Sequence, residues 1–167
     1  MELRRLETPQ DDPLLRQIAE WDKDVPEWYR QMDSVFGIDS AEGLIRLVSA
    51  PDNAFIGVFN PTLVGMITLS LAGKNRFAVH LWAKRGASLE VLAEAGYQIR
   101  EQLVEFGARE IFVWVAEKNR PVRNLCARLG LMPDGVEIIK GSYKKRAIVW
   151  IRLTYNPALR TTVQKAA

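Results

Sequence analysis

The sequence predicts a mixed α/β domain built on one β-sheet, and three observations predict it. Two apolar runs of strand length, residues 54–59 and 63–71, flank the turn signal Asn60-Pro61 and read as a hairpin. Residues 77–82 then alternate, with Phe77, Val79 and Leu81 on one face and Ala78, His80 and Trp82 on the other. Directly after them the period changes. Leu89, Leu92, Gly96, Ile99, Leu103 and Phe106 recur at steps of three and four, the buried stripe of a long helix that Gly107 closes.

The remaining elements follow in order. Residues 2–7 alternate apolar and charged side chains and read as a short strand. Asp11-Asp12-Pro13 is a helix start, an aspartate cap with proline in the first turn, and the helix buries Leu14, Leu15, Ile18 and Trp21. A second helical stretch begins near Pro26, holds Trp28, Tyr29, Met32 and Phe36, and ends at Gly37. Ser40 opens a third, running to about residue 49. Gly73-Lys74-Asn75 is a turn before the alternating strand. Residues 111–116 form a buried strand, and 119–129 a helix with Val122, Leu125, Cys126 and Leu129 inward and Gly130 at its end. After a turn, 136–139 and 147–153 make a last strand pair. The domain is expected to span 1–155, with 156–167 a flexible polar tail.

Composition bounds the function. At 167 residues and 48% hydrophobic, the chain supports one core. It has no apolar run of membrane-spanning length, and its first residues lack the apolar centre of a secretory signal. One cysteine makes no internal disulfide, so a cytoplasmic protein is expected. Residues 1–52 carry 12 acidic and 6 basic side chains, while 118–167 carry 11 basic and 2 acidic ones. Such opposed halves suit a cationic partner at one end and an anionic one at the other, or are scattered solvated charge.

Two local patterns carry chemistry. Ala83-Lys84-Arg85-Gly86-Ala87-Ser88 joins a strand to a long helix, where exposed amides and the helix dipole can cradle phosphate; it is equally an ordinary strand-to-helix loop. Asn119 stands where a buried strand passes into a helix, seven residues before Cys126. An amide there can bind a ligand or cap the helix.

These stretches, in this order, resemble the GNAT superfamily of acyl-CoA-dependent N-acyltransferases, in particular the branch that acetylates ribosomal protein N-termini and small amines. The resemblance covers roughly 1–155. The family's pyrophosphate loop, Q/R-x-x-G-x-G/A, falls on residues 83–88: Gly86 matches, Ser88 is small, and Ala83 replaces the usual Gln or Arg. The family's N-x-x-A/S, followed by Y-E-K-L-G-F, falls on Asn119-Arg120-Pro121-Val122 and on Cys126-Ala127-Arg128-Leu129-Gly130-Leu131. Gly135 with the strand after it, and Gly141-Ser142-Tyr143 before the last strand, complete the likeness.

The resemblance implies a mixed twisted sheet with helices on both faces and two central strands splayed to hold acetyl-CoA as acyl donor, with no metal. It implies cofactor contacts from Leu81, Trp82 and residues 83–88, and from Asn119 to the cofactor arm. The reaction implied is direct attack of a primary amine on the thioester. His80, the one histidine, is then the candidate base, or else a satisfied sheet histidine. Cys126 stands where many members carry a tyrosine that protonates the leaving thiolate; as a thiol on an apolar helix face it also reads as core. Trp28, Tyr29 and Trp82, with Trp21, are candidate walls for the acceptor, and Asp22, Asp24, Glu27 and Asp33 candidate attractants for its ammonium.

The acceptor is left open between a small molecule, a peptide or protein amine and a modified nucleobase, as is a homodimer; a membrane is not expected. The alternative reading is a GNAT fold without turnover, a binding or structural module in a protein or nucleic-acid assembly. The departures at Ala83, Val122 and Cys126 motivate it, with Lys144-Lys145-Arg146 as the basic contact.

Overall fold

The computed structural model describes residues 1–23, 40–143 and 146–158. The helix expected from Pro26, with Trp28 and Tyr29, lies outside the described residues, as do Asp24, Glu27, Asp33, Lys144, Lys145 and the tail from residue 159.

Seven strands form one sheet: β1 (Glu2–Arg5), β2 (Asn53–Phe59), β3 (Leu63–Gly73), β4 (Arg76–Ala83), β5 (Glu110–Ala116), β6 (Met132–Tyr143) and β7 (Arg146–Tyr155), in the order β1-β2-β3-β4-β5-β7-β6. Four helices accompany them among the described residues: α1 (Asp12–Lys23), α2 (Ala41–Val48), α3 (Leu89–Glu105) and α4 (Arg120–Arg128). Every neighbouring pair is antiparallel except β4–β5, which is parallel. A parallel pair needs a crossover, and α3 supplies it.

The alternation read in β4 sorts the two faces. Phe77, with Val79 and Leu81, joins a core that α3 and α4 cover with Ala95, Ile99, Leu103 and Cys126. Trp82 belongs to a second core on the other face, where α1 contributes Leu15, Ile18 and Trp21 and α2 contributes Leu44 and Val48. Trp21 is thus a core residue rather than an exposed wall. The stripe on α3 includes Gly96 for a steric reason. A Cβ there would lie 2.6 Å from Leu129 Cδ1, so the absent side chain lets α4 approach.

Polar clamps fix the ends. Arg4 grips the buried Asp11 through two bonds of 2.9 Å, and the Glu7 N–H adds a third at 2.9 Å. The Arg4 guanidinium holds the Asp11 carboxyl below the usual carboxylate range. Ser40 caps α2 by accepting from the Gly43 N–H. Arg100 of α3, itself buried, donates to the Leu129 carbonyl at 2.6 Å, and its guanidinium lies over the rings of Tyr97 and Tyr155.

One element differs from the sequence reading. Pro133-Asp134-Gly135 is not a turn; β6 already begins at Met132, and its pairing with β7 shifts between Pro133 and Glu137. Gly135 takes φ +84° there, and β6 is an edge strand, where proline costs no ladder bond on the solvent side. The Asp134 carboxylate bridges the bulge to Arg152 and Thr154 of β7.

Gly96→Val is expected to lower stability by about 1–3 kcal/mol through overpacking against Leu129. Thermal unfolding beside Gly96→Ala checks this, with the smaller side chain costing less.

Candidate functional site

The site begins where β4 and β5 part. Only three pairs join them: Arg76 with Glu110, Phe77 with Ile111, and Ala78 with Phe112. The first is reinforced by an ion pair, Arg76 Nε to Glu110 Oε2 at 2.7 Å. Beyond Ala78 the strands diverge, although each keeps its outer partner. β4 stays paired to β3 as far as Ala83, and β5 to β7 as far as Ala116. A cleft opens between their carboxyl ends, where ligands bind in open α/β sheets.

Its walls are mostly apolar. Val79 and Leu81 line one side, Val113, Val115 and Ala116 the other, and Leu92, Ile99 and Leu125 of the helices form the base. The cleft encloses about 840 Å³ not filled by atoms, part of it open solvent. Backbone polarity enters from β4. The Lys84 N–H donates to the Val64 carbonyl at 2.9 Å, which fixes the parity of the β3–β4 ladder. The backbone groups of Trp82 therefore face β3, and those of Leu81 and Ala83 face the gap. Of Leu81 and Trp82, both expected as cofactor contacts, Leu81 is the one so oriented.

The loop that follows β4 has the geometry its glycine suggests, although none of residues 83–88 is among those lining the cleft. The Ala87 N–H bonds the Lys84 carbonyl at 3.0 Å, closing a turn with Gly86 at φ +81°. A Cβ at Gly86 would meet nothing within 4 Å, so backbone conformation rather than crowding requires glycine. Lys84, Arg85 and Gly86 are exposed, and Ser88 caps α3 by accepting from the Val91 N–H. Across the mouth, Asn119 caps α4 through Oδ1, accepting from the Val122 N–H at 3.4 Å, and the same residue lines the cleft. The cap does not use its amide nitrogen, so both readings of Asn119 fit one side chain.

Cys126 lines the cleft and belongs to the core. Burial pushes its thiol up to about 12. The thiolate it would protonate belongs to a thiol of about 8.5, a stronger acid. Proton transfer from Cys126 runs uphill, and the core reading is the better one.

His80 is buried on the opposite face from Val79 and Leu81, opposite Thr68 in register and two residues past the last β4–β5 pair. It is not among the residues lining the cleft. Trp82 packs in the core beneath α1 and α2. Two residues that sequence reasoning passed over do line the cleft: Trp114 of β5 and Trp150 of β7. Treating 111–116 as uniformly buried hid the first, and giving 147–153 no face hid the second. The parity of Ile111, Val113 and Val115 would have put Trp114 on the other face. Among the described residues, no cluster of His, Cys, Asp and Glu could hold a metal, and no helix is long and apolar enough to cross a membrane.

No family model and no curated protein sequence matches the chain. Solved structures do. A spermidine N-acetyltransferase chimera from Vibrio cholerae and hSSAT superposes with TM-score 0.75 at 15% identity, covering 96% of this chain and 99% of that one. RimL, a ribosomal alpha-N-protein acetyltransferase in complex with coenzyme A, gives TM-score 0.71 at 12% identity, covering 92% and 93%. An acetyltransferase of the GNAT family from Streptococcus pneumoniae gives TM-score 0.65 at 13% identity, covering 93% and 98%. The chain therefore has the GNAT fold; at these identities the likeness is one of fold.

The Cys126 thiol predicts a pH effect. Below about pH 8.5 it is protonated folded and unfolded, and stability does not depend on it. Above that the unfolded chain loses the proton and the folded chain keeps it to about 12. Stability should fall by about 1.4 kcal/mol per pH unit from this group. Denaturant unfolding at pH 8 to 10 should show a shallower decline in Cys126→Ala, whatever its absolute stability.

Proposed function

We propose that the protein is an N-acetyltransferase that moves the acetyl group of acetyl-CoA to a primary amine. The observation that carries the reading is the parting of β4 and β5 after Ala78 into an apolar cleft, with the Gly86 turn following the end of β4. An extended pantetheine arm fits such a gap, with the backbone of Leu81 and Ala83 beside it. The amides at the start of α3, with Lys84 and Arg85, suit the pyrophosphate. The Asn119 amide nitrogen suits a carbonyl of the arm.

The chemistry asks little more of the protein. The deprotonated amine attacks the thioester carbon, the C–N bond forms, and the C–S bond breaks. Holding both substrates in one cleft supplies much of the acceleration. A backbone N–H of β4 that faces the gap is the donor for the oxyanion. His80, just past the point of divergence, is the base, directly or through a water. The leaving thiolate takes its proton from solvent, since Cys126 holds its own too tightly.

Two experiments test this. Calorimetric titration with acetyl-CoA should show binding that Gly86→Glu abolishes and Gly86→Ala weakens far less. Both variants carry the same backbone strain at φ +81°, and only one adds negative charge at the phosphates. Equal affinities for the two would mean the loop does not hold pyrophosphate. His80→Ala should slow acetyl transfer by about 10²-fold or more and flatten its pH profile near neutrality. An unchanged profile would remove His80 from the reaction.

A further inference from the structure

Thr68 carries a hydroxyl that the fold does not use. The residue is 0% exposed, and its Oγ1 has no hydrogen-bond partner among the described residues. Burying a hydroxyl without a bond is costly, and valine would fill nearly the same space on a strand without that cost. A hydroxyl in such a position calls for an explanation. Its place in the sheet supplies one. Across β2, β3 and β4 the row at this height reads Phe55, Thr68 and His80.

The row lies on the face that α1 and α2 cover, where Phe55, Met66 and Trp82 are core. Phe55 offers Thr68 no polar atom. Ser70, one row away, already donates to Asn53 Oδ1 at 2.5 Å. The helices bring Leu15, Ile18 and Leu44 to this face, none of them polar or titratable. A charged pair on the same face, Arg76 with Glu110, stands two rows off and is bonded to itself. His80 is different. Paired side chains on one face have Cβ atoms about 4.5–5.5 Å apart, which puts a hydroxyl within hydrogen-bond reach of an imidazole. The His80 nitrogen shielded from solvent is Nδ1.

We infer that Thr68 is a positioning residue for His80, its Oγ1 accepting a hydrogen bond from the Nδ1–H. In neutral imidazole one nitrogen carries the proton and the other the lone pair, and the bond made by the first fixes which is which. With Nδ1 protonated and held by Thr68, the lone pair sits on Nε2. Nε2 then takes the proton that the attacking amine loses, directly or through a water, and the imidazolium so formed still donates to Thr68. Without the hydroxyl, Nδ1–H loses this acceptor, and the ring shifts toward the tautomer whose lone pair is on Nδ1, turned inward. Thr68 touches neither substrate nor cofactor. The inference rests on the acetyltransferase reading, with His80 as its base.

His80 is the one histidine in the chain, so its ring gives the only imidazole signals of the ¹⁵N-labelled protein. With the ring neutral, the unaltered protein should show a proton on Nδ1 and none on Nε2. Thr68→Val should move the equilibrium toward the Nε2–H tautomer about 3- to 10-fold, the loss of one net hydrogen bond. Thr68→Ser, which keeps the oxygen, should not. Kinetics follow acetyl transfer from acetyl-CoA to the fastest of propylamine, spermidine and alanyl-alanine amide. Thr68→Val should lower kcat by the same factor with KM for acetyl-CoA unchanged, and Thr68→Ser should keep most of the rate. A merely structural role predicts the reverse order, because serine leaves the methyl's space empty and valine fills it. The same tautomer in all three proteins, or a serine variant slower than the valine one, would overturn the inference and leave the transferase reading standing. An unaltered protein that neither binds acetyl-CoA nor transfers acetyl would overturn that reading and the role in transfer with it; the tautomer is read without either.

Discussion

The parallel contact between β4 and β5 is short, and the rest of the molecule is arranged around its ending. Three pairs hold the strands, the Arg76–Glu110 ion pair secures the first of them, and after Ala78 and Phe112 the ladder stops. The strands can separate without unravelling because neither depends on the other. β3 holds β4 along its length, and β7 holds β5. A gap in the middle of a sheet would ordinarily leave backbone groups that water must satisfy. Here α3 and α4 close one face with apolar side chains, so the gap becomes a lined cleft.

Strand alternation then divides the labour. Val79 and Leu81 turn toward the helices and line the cleft; His80 and Trp82 turn to the face that α1 and α2 cover. On the proposed reading, chemistry that depends on reaching the cofactor arm belongs to the backbone of β4, and chemistry that depends on the acceptor belongs to the opposite face. Cys126 lines the cleft but belongs to the core, and burial holds its proton too firmly for it to act as an acid.

Much of this was legible in the sequence. The change of period from two in residues 77–82 to three and four after Leu89 located the strand, the loop and the long helix, because backbone geometry dictates both periods. Gly86, Gly107 and Gly130 marked ends that do adopt positive φ. What escaped was whatever depends on partners distant in sequence. The β6 bulge was read as a turn, since Pro133 and Gly135 signal either, and only pairing with β7 distinguishes them. Trp82 looked like a wall and is core, because the packing of α1 on β4 is not written in either segment. Trp114 and Trp150 join the cleft only because β5 and β7 are neighbours, a crossing of order that composition does not reveal.

The claim on which the account depends is that the gap beside β4 receives an extended ligand through backbone contacts. Amide hydrogen exchange, followed residue by residue with and without acetyl-CoA, tests it most directly. The account predicts slowed exchange along residues 79–83 and at 86–91, with β1 and β2 unaffected. Binding that protects some other surface and leaves 79–83 exchanging as before would contradict it.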